Sequence, residues 1–470
     1  MKHNTLLAIS PLDGRYYLSL TELSNYFSEY ALIRARLYVE ITYLKILSHH
    51  IPSLSFLQSL GNELDSIVAT FGLKAAYRVK HLEERIGHDV KAVEYHLRTE
   101  IQNRFQDTLT PHQLNLTLAH IHFGLTSQDI NNTAIPWLWK QFIHHHYLPL
   151  LSRVIGKMEE WTHEWKSIPL LALTHGQPAT PTTLGKEIGV FASRLHKPFS
   201  QLQQFHFPAK FGGATGNFNA HLIAYPDVDW ERVANEVAHT LGLHRNPLTT
   251  QIDPYDSYAE LSHLISRINT ILIDFAQDMW LYISRGIFVQ KVVRNEVGSS
   301  TMPHKVNPIH FENAEGNLKL ANALLEFFAQ KLPISRLQRD LTDSTVLRNI
   351  GTAMGHSYLA LQNLLKGMER VQPNPEKMQQ ELEDNPEVLA EAIQSILRKH
   401  GIPNAYEQLK ELTRSGNRVS LEQLHHFILK QPIPEEEKKK LLHLRPSTYT
   451  GLAEALASGL TKLSSGSDHS

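Results

Sequence analysis

From about Ser257 onward, apolar residues recur at Leu261, Leu264, Ile265, Ile268, Ile271, Leu272, Phe275, Met279 and Ile283. At helical spacing these positions form one broad face. Glu260, Arg267 and Asp274 recur every seven residues on another face. About thirty residues at 1.5 Å each make a rod of about 45 Å. So wide an apolar face cannot stand in water, so the helix must sit inside a bundle or an oligomer. Any fold for this chain must therefore provide apolar partners along the whole length of this helix.

Other segments carry the same period. Leu32, Ile33, Leu37, Ile41, Leu44 and Leu47 predict a helix within a first helical domain, residues 1–111. Between Trp137 and Trp165 the apolar positions are Leu138, Phe142, Leu148, Leu151, Val154, Ile155, Met158 and Trp161, with a kink expected at Pro149. His144, His145 and His146 lie inside it. Adjacent helical residues point in different directions, so the three cannot hold one metal and are expected to be mainly solvated. Leu184, Ile188, Phe191, Leu195, Phe199, Leu202 and Phe205 predict a further helix, and the prolines before it read as the end of one helix and the start of another. Val371-Gln372-Pro373-Asn374-Pro375 reads as a boundary. The expected division is a central bundle over 112–370, a third helical domain over 371–463 and a disordered tail over 464–470.

Composition narrows the function. A chain of 470 residues should form two to four domains. A net charge of −1 argues against a nucleic-acid partner, which usually demands a basic excess. The absence of cysteine excludes disulfides, thiolate nucleophiles and cysteine-based zinc sites. The N-terminal apolar run is too short for a signal peptide, and no apolar stretch is long enough to span a membrane. A cytoplasmic setting with no membrane partner is expected.

One stretch fits neither period: Gly298-Ser299-Ser300-Thr301-Met302-Pro303-His304-Lys305-Val306-Asn307-Pro308. It reads as a loop, which by composition alone could be a plain connector. It also groups hydroxyls, a cation and an amide, a set that can hold a small anion and exchange a proton. Elsewhere, His88 and Asp89 stand at the start of a helix whose apolar face is Val90, Val93 and Leu97, and Thr126 and Ser127 precede another. Each pair reads either as a cap or as part of an anion site, and a helix N-terminus can serve as both.

The loop string resembles the signature of the fumarase/aspartase lyase superfamily. With His304 between Pro303 and Lys305, and with Thr174-His175-Gly176-Gln177-Pro178-Ala179-Thr180-Pro181, it resembles the adenylosuccinate lyase branch in its longer bacterial form. The resemblance runs from Ser10-Pro11-Leu12-Asp13-Gly14-Arg15-Tyr16 into the C-terminal third. It implies a three-domain, all-α fumarase/aspartase-like fold in a homotetramer, with sites shared between subunits and neither cofactor nor metal. The implied reaction releases fumarate from adenylosuccinate, or from the related succinyl-carboxamide ribotide. By the same resemblance His175, Ser299, His88, Lys305 and Glu312 are catalytic. Substrate-binding roles fall to Arg15, Tyr16, Asp89, Thr126, Ser127, Gln251, Ser300, Val306, Asn307, Asn313, Arg339, Ser344, Thr345 and Arg348, and Gly212-Gly213-Ala214-Thr215-Gly216-Asn217 matches the family's glycine-rich element.

The chemistry needs a base for a weakly acidic C–H, cations and N–H dipoles for the developing dianion, and an acid for the departing nitrogen. His175 suits the acid, since imidazole titrates near neutral pH. Lys305, Asn307 and loop amides suit the anion. An unperturbed serine is a very poor base, so the choice of Ser299 over His88 comes from the resemblance. Alternatives are another fumarate-releasing lyase, a metal-dependent phosphohydrolase suggested by 28 histidines and His88-Asp89, and an inactive relative. Thr126 and His175 flank one helix of about thirty-five residues, or roughly 50 Å. If both touch one substrate, they are expected to come from different chains.

Overall fold

The computed structural model describes residues 4–291, 302, 305–412 and 419–460 in full, and the helical backbone of 413 and of 461–465. Ser299 and Ser300 lie outside the described residues. So do 466–470 of the expected tail, whereas 464 and 465 continue the helix Ala453–Ser465. The described residues are predominantly helical, and their strands are two or three residues long. The chain divides into two compact units, the first formed by Met1–Leu150, Phe199–Thr270 and Asn317–Ala360, the second by Leu151–Pro198, Ile271–Gly316 and Leu361–Ser470.

The long helix is Asp256–Ser284. Leu261, Ile265, Ile268, Leu272, Phe275 and Met279 along it are buried, as its period requires. Each such side chain contributes roughly 1.5–3 kcal/mol when removed from water. Arg267, on the polar face, donates to Gln201, and Asp274 accepts from Arg194.

In the first unit the helix Glu29–His50 starts at Ser28, whose Oγ accepts from the Ala31 N–H at 3.1 Å. It buries Ile33, Leu37, Ile41, Leu44 and Leu47, and packs against the helix Ser127–Phe142. That helix runs on through a wider turn, Ile143–Tyr147, in which the Leu148 N–H reaches the Ile143 carbonyl, and then into Leu148–Glu164. The irregularity expected at Pro149 therefore falls just before it. A proline ring clashes with the carbonyl four residues back, and the widened turn contains that carbonyl. His145 is exposed, but His144 is half-buried, and His146 meets the Tyr26 hydroxyl and the Glu22 carboxylate, each at 3.0 Å. Mainly solvated therefore describes His145 alone.

In the second unit the prolines before Leu184 do not simply separate two helices. Pro169–Leu170 pairs antiparallel with Thr182–Thr183, and inside that pair Leu173–Thr174 pairs with Gln177–Pro178. His175 and Gly176 form the two-residue turn, at φ 54° and 70°. Two consecutive left-handed residues match the right-handed twist of a tight hairpin. Val371–Pro373, read as a boundary, pairs with Phe288–Gln290, and Asn374 caps the helix Pro375–Glu383. Farther on, Leu389, Ile393, Leu397, Leu424, Ile428 and Leu441 close a separate apolar cluster.

Candidate functional site

The first unit brings six of the expected site residues together. His88 caps the helix Asp89–Phe105: its Nδ1 accepts from the Lys91 N–H at 3.2 Å, and its Nε2 lies 3.4 Å from Ser127 Oγ. Asp89 accepts from buried Arg36 at 2.6 Å and faces Arg348 at 3.5 Å. Burial alone would raise the Asp89 pKa, but Arg36, the Val90 N–H and Arg348 outweigh it and hold it below the usual range. Arg348 in turn donates to Ser344 Oγ at 2.6 Å. The second nitrogen contact of Arg36, at 2.8 Å, is with Asn131.

Thr126 is the N-cap residue of Ser127–Phe142, and Ser127 opens that helix. Behind them sits a fully buried ion pair, Lys210 Nζ to Asp129 Oδ1, at 2.8 Å. Asp129 Oδ1 also accepts from the N–H groups of Gly212 and Gly213, at 2.8 and 3.0 Å. Its Oδ2 takes the Thr126 N–H at 2.8 Å. One carboxylate therefore clamps the glycine-rich element to the start of the helix. Burial lowers the Lys210 pKa, and Asp129 opposes that shift.

Ser344 and Thr345 lie in the short helix Thr342–Leu347, with Arg339 before it and Arg348 at its C-terminal end. Arg339 reaches Asp343 at 3.6 Å. With the Gln128 amide turned so that its oxygen faces Arg339, that oxygen accepts three N–H groups at 2.5–3.2 Å. Arg348, Ser344, Gln128, Arg36 and Asn131 line one cleft of about 150 Å³, closed on its apolar side by Phe27, Leu138 and Trp139. Arg36 and Arg348 share the Asp89 carboxylate, Arg339 faces Asp343, and Glu29 also lines the cleft, so the guanidinium N–H groups rather than a net charge suit this wall to an anionic ligand. Thr345 is exposed, Gln251 is half-buried in a bend, and the Arg15 guanidinium lies 6.0 Å from the Tyr16 ring.

The remaining described candidates belong to the second unit. His175 is exposed at the hairpin tip, in a backbone region that non-glycine residues seldom occupy. Lys305 is exposed, and its N–H donates to the Met302 carbonyl at 3.1 Å. The Val306 carbonyl accepts from Gln290 at 2.8 Å. Asn307 and Asn313 are half-buried. Glu312, at the start of the helix Ile309–Lys331, accepts from Trp280 Nε1 at 3.1 Å.

A family model described as a lyase matches residues 14–324, and one described as adenylosuccinate lyase C-terminal matches 335–450. The chain is 49% identical over 459 residues to adenylosuccinate lyase of Legionella pneumophila (strain Philadelphia 1), covering 97% of this chain and 99% of that protein. The chain belongs to the adenylosuccinate lyase family. It is 45% identical over 458 residues to the adenylosuccinate lyase of Escherichia coli K12, covering 96% of this chain and 98% of the relative. Its fold is that of a solved 3-carboxy-cis,cis-muconate lactonizing enzyme from Pseudomonas putida, with TM-score 0.74 at 20% identity, covering 94% of this chain and 96% of the other. A fumarate lyase from Mesorhizobium shares it, with TM-score 0.73 at 17% identity, covering 94% and 97%. The all-α expectation and the superfamily fold hold. Among the described residues no helix is long and apolar enough to cross a membrane.

Sequence reasoning passed over Arg36, Asp129, Lys210, Tyr255 and Asp343. Asp129 had a local signal, since Thr126-x-x-Asp129 is a capping pattern. Asp343 had a weak one in Arg339, four positions before it, and the other three had none, because their partners are far away in sequence.

Proposed function

We propose that the chain cleaves adenylosuccinate to AMP and fumarate, and the related succinyl-carboxamide ribotide to its carboxamide ribotide and fumarate. Family membership over nearly the whole chain carries this reading. The guanidinium groups of Arg348 and Arg36 in the cleft of the first unit support it, because both substrates are polyanions. Arg339, Ser344 and Arg348, with Arg15 and Tyr16, take the phosphate. Thr126, Ser127 and His88 stand where a helix N-terminus favours a carboxylate.

In the elimination, Ser299 removes the proton from the carbon beside a carboxylate. The electron pair of that C–H bond becomes the new C=C bond, and the C–N bond breaks with its pair passing to nitrogen. His175 supplies the proton that nitrogen needs. Lys305, Asn307 and loop N–H groups stabilise the dianion formed on the way. Glu312 orients and stabilises a charged histidine. The remaining binding roles are those of Asp89, Gln251, Ser300, Val306, Asn313 and Thr345. We place the enzyme in the cytoplasm as a homotetramer whose sites combine residues from different subunits. The long helical chain between Thr126 and His175, together with the exposed hairpin that carries His175, favours such sharing.

A panel assay tests the reading. Purified protein without added metal should release fumarate from both purine substrates. Release from malate or argininosuccinate instead would assign another lyase of the superfamily. Activity lost to a chelator and restored by metal would favour a metal-dependent enzyme.

A further inference from the structure

The segment Arg339–Arg348 is tied to the buried interior through one tyrosine. Tyr255 is fully buried and held at φ 61°. Its hydroxyl donates to Asp343 Oδ2 at 2.9 Å and accepts from Asn132 Nδ2 at 2.7 Å. The other oxygen of Asp343 accepts the Ser344 N–H at 2.7 Å and faces Arg339 at 3.6 Å. Asn132 is itself fixed, since its Oδ1 accepts the Asp253 N–H at 2.9 Å. A hydrogen-bonded path therefore runs Asn132–Tyr255–Asp343 and ends on the Ser344 backbone, with Arg339 paired by charge to the same carboxylate. Asn132 belongs to the helix opened by Ser127, so the path joins the two walls of the cleft.

We infer that Tyr255 and Asp343 are positioning residues that set Arg339 and Ser344 for the substrate's phosphate. The inference rests on the proposal that Arg339, Ser344 and Arg348 bind that group. A left-handed non-glycine residue persists only where its surroundings hold it, and here Asn132 and Asp343 grip its side chain from two sides. Removing the hydroxyl leaves a buried carboxylate oxygen and a buried amide N–H without this partner. The simplest relief is for Asp343 to turn, and Ser344 and Arg339 turn with it.

The test compares competitive inhibition by AMP and by adenosine, which differ only in the phosphate. In Tyr255→Phe, AMP should bind about tenfold more weakly, as expected for losing a hydrogen bond to a charged group. Adenosine should change by less than about twofold, and KM should rise more than kcat falls. Asp343→Asn, which keeps the shape and loses the charge facing Arg339, should show the same selectivity should Tyr255→Phe fail to fold. Equal weakening of AMP and adenosine, or no change in either, would overturn the relay. Arg348→Ala serves as the separate control. If it too fails to distinguish AMP from adenosine, the phosphate assignment itself is wrong, and the relay falls with it. If Arg348→Ala discriminates and both relay variants do not, only the relay is wrong.

Discussion

Replacing Lys210 with methionine removes the cation of a pair in which both side chains are fully buried, 2.8 Å apart. Methionine keeps the length and apolar stem but donates nothing. Asp129 would retain the N–H groups of Thr126, Gly212 and Gly213, at 2.8–3.0 Å. Three dipoles ease a buried carboxylate but do not neutralise it, and breaking such a pair costs about 3–5 kcal/mol. A chain of 470 residues has an unfolding entropy of about 1 kcal/mol per kelvin near its midpoint. Lys210→Met should therefore lower the calorimetric midpoint by about 3–5 °C. Adding Asp129→Asn removes the stranded charge while keeping an oxygen for the glycine N–H groups, so the double variant should recover at least half of the loss. A single variant within about 1 °C of wild type, or a double variant as poor as the sum of two losses, would refute the clamp.

Three further outcomes follow from the geometry. Gly124 has φ +69°, and a Cβ there would meet the His221 ring at 2.6 Å, so Gly124→Ala should cost at least ~2 kcal/mol in denaturant titration; a loss below ~0.5 kcal/mol would show that the ring yields freely. His221 is buried, its Nδ1 has no hydrogen-bond partner among the described residues, and its pKa is pushed to about 4 by burial, with Asp129 opposing and Lys210 adding. The unfolded chain binds this proton near pH 6.5 and the folded one near 4, so its contribution is whole above 6.5 and falls by ~3 kcal/mol on acidification through that window. His221→Gln should flatten the stability–pH slope between those values, and an unchanged slope would exclude His221 as the source. Asp253, pushed up to about 6 chiefly by burial, contributes the opposite slope between 3.8 and 6 in both proteins. Finally, His175→Ala and Ser299→Ala, each inactive alone, should regain part of the activity when refolded together. Persistent inactivity despite demonstrated subunit exchange would place both residues in one chain's contribution to the site.

The helix Asp256–Ser284 was legible because its apolar period is long and unbroken, which leaves one solution for burial. The hairpin around His175 was not, because two-residue strands offer no alternation to read and the His-Gly turn lacks the usual Asn-Gly signal. The widened turn at Ile143–Tyr147 showed only indirectly, through the proline it accommodates. Motif strings found His88, Ser127 and Arg348, but not what holds them. A lone lysine or arginine reads as solvated, and only the fold reveals that Lys210 meets Asp129 in the interior and that buried Arg36 meets half-buried Asp89. Tyr255 is the clearest case: its partners are 123 and 88 residues away.

The most direct measurement of the central claim is fumarate and AMP released from adenylosuccinate by metal-free protein, with Ser299→Ala and His175→Ala beside it. The wild-type chain should yield the two products in equal amounts. Each variant should still bind substrate yet turn over at least 10²–10⁴-fold more slowly, the range expected for loss of a general acid or base. No fumarate from the wild-type chain would contradict the proposed activity. Ser299→Ala within about tenfold of wild type would contradict the serine base and leave His88 as the group to test next.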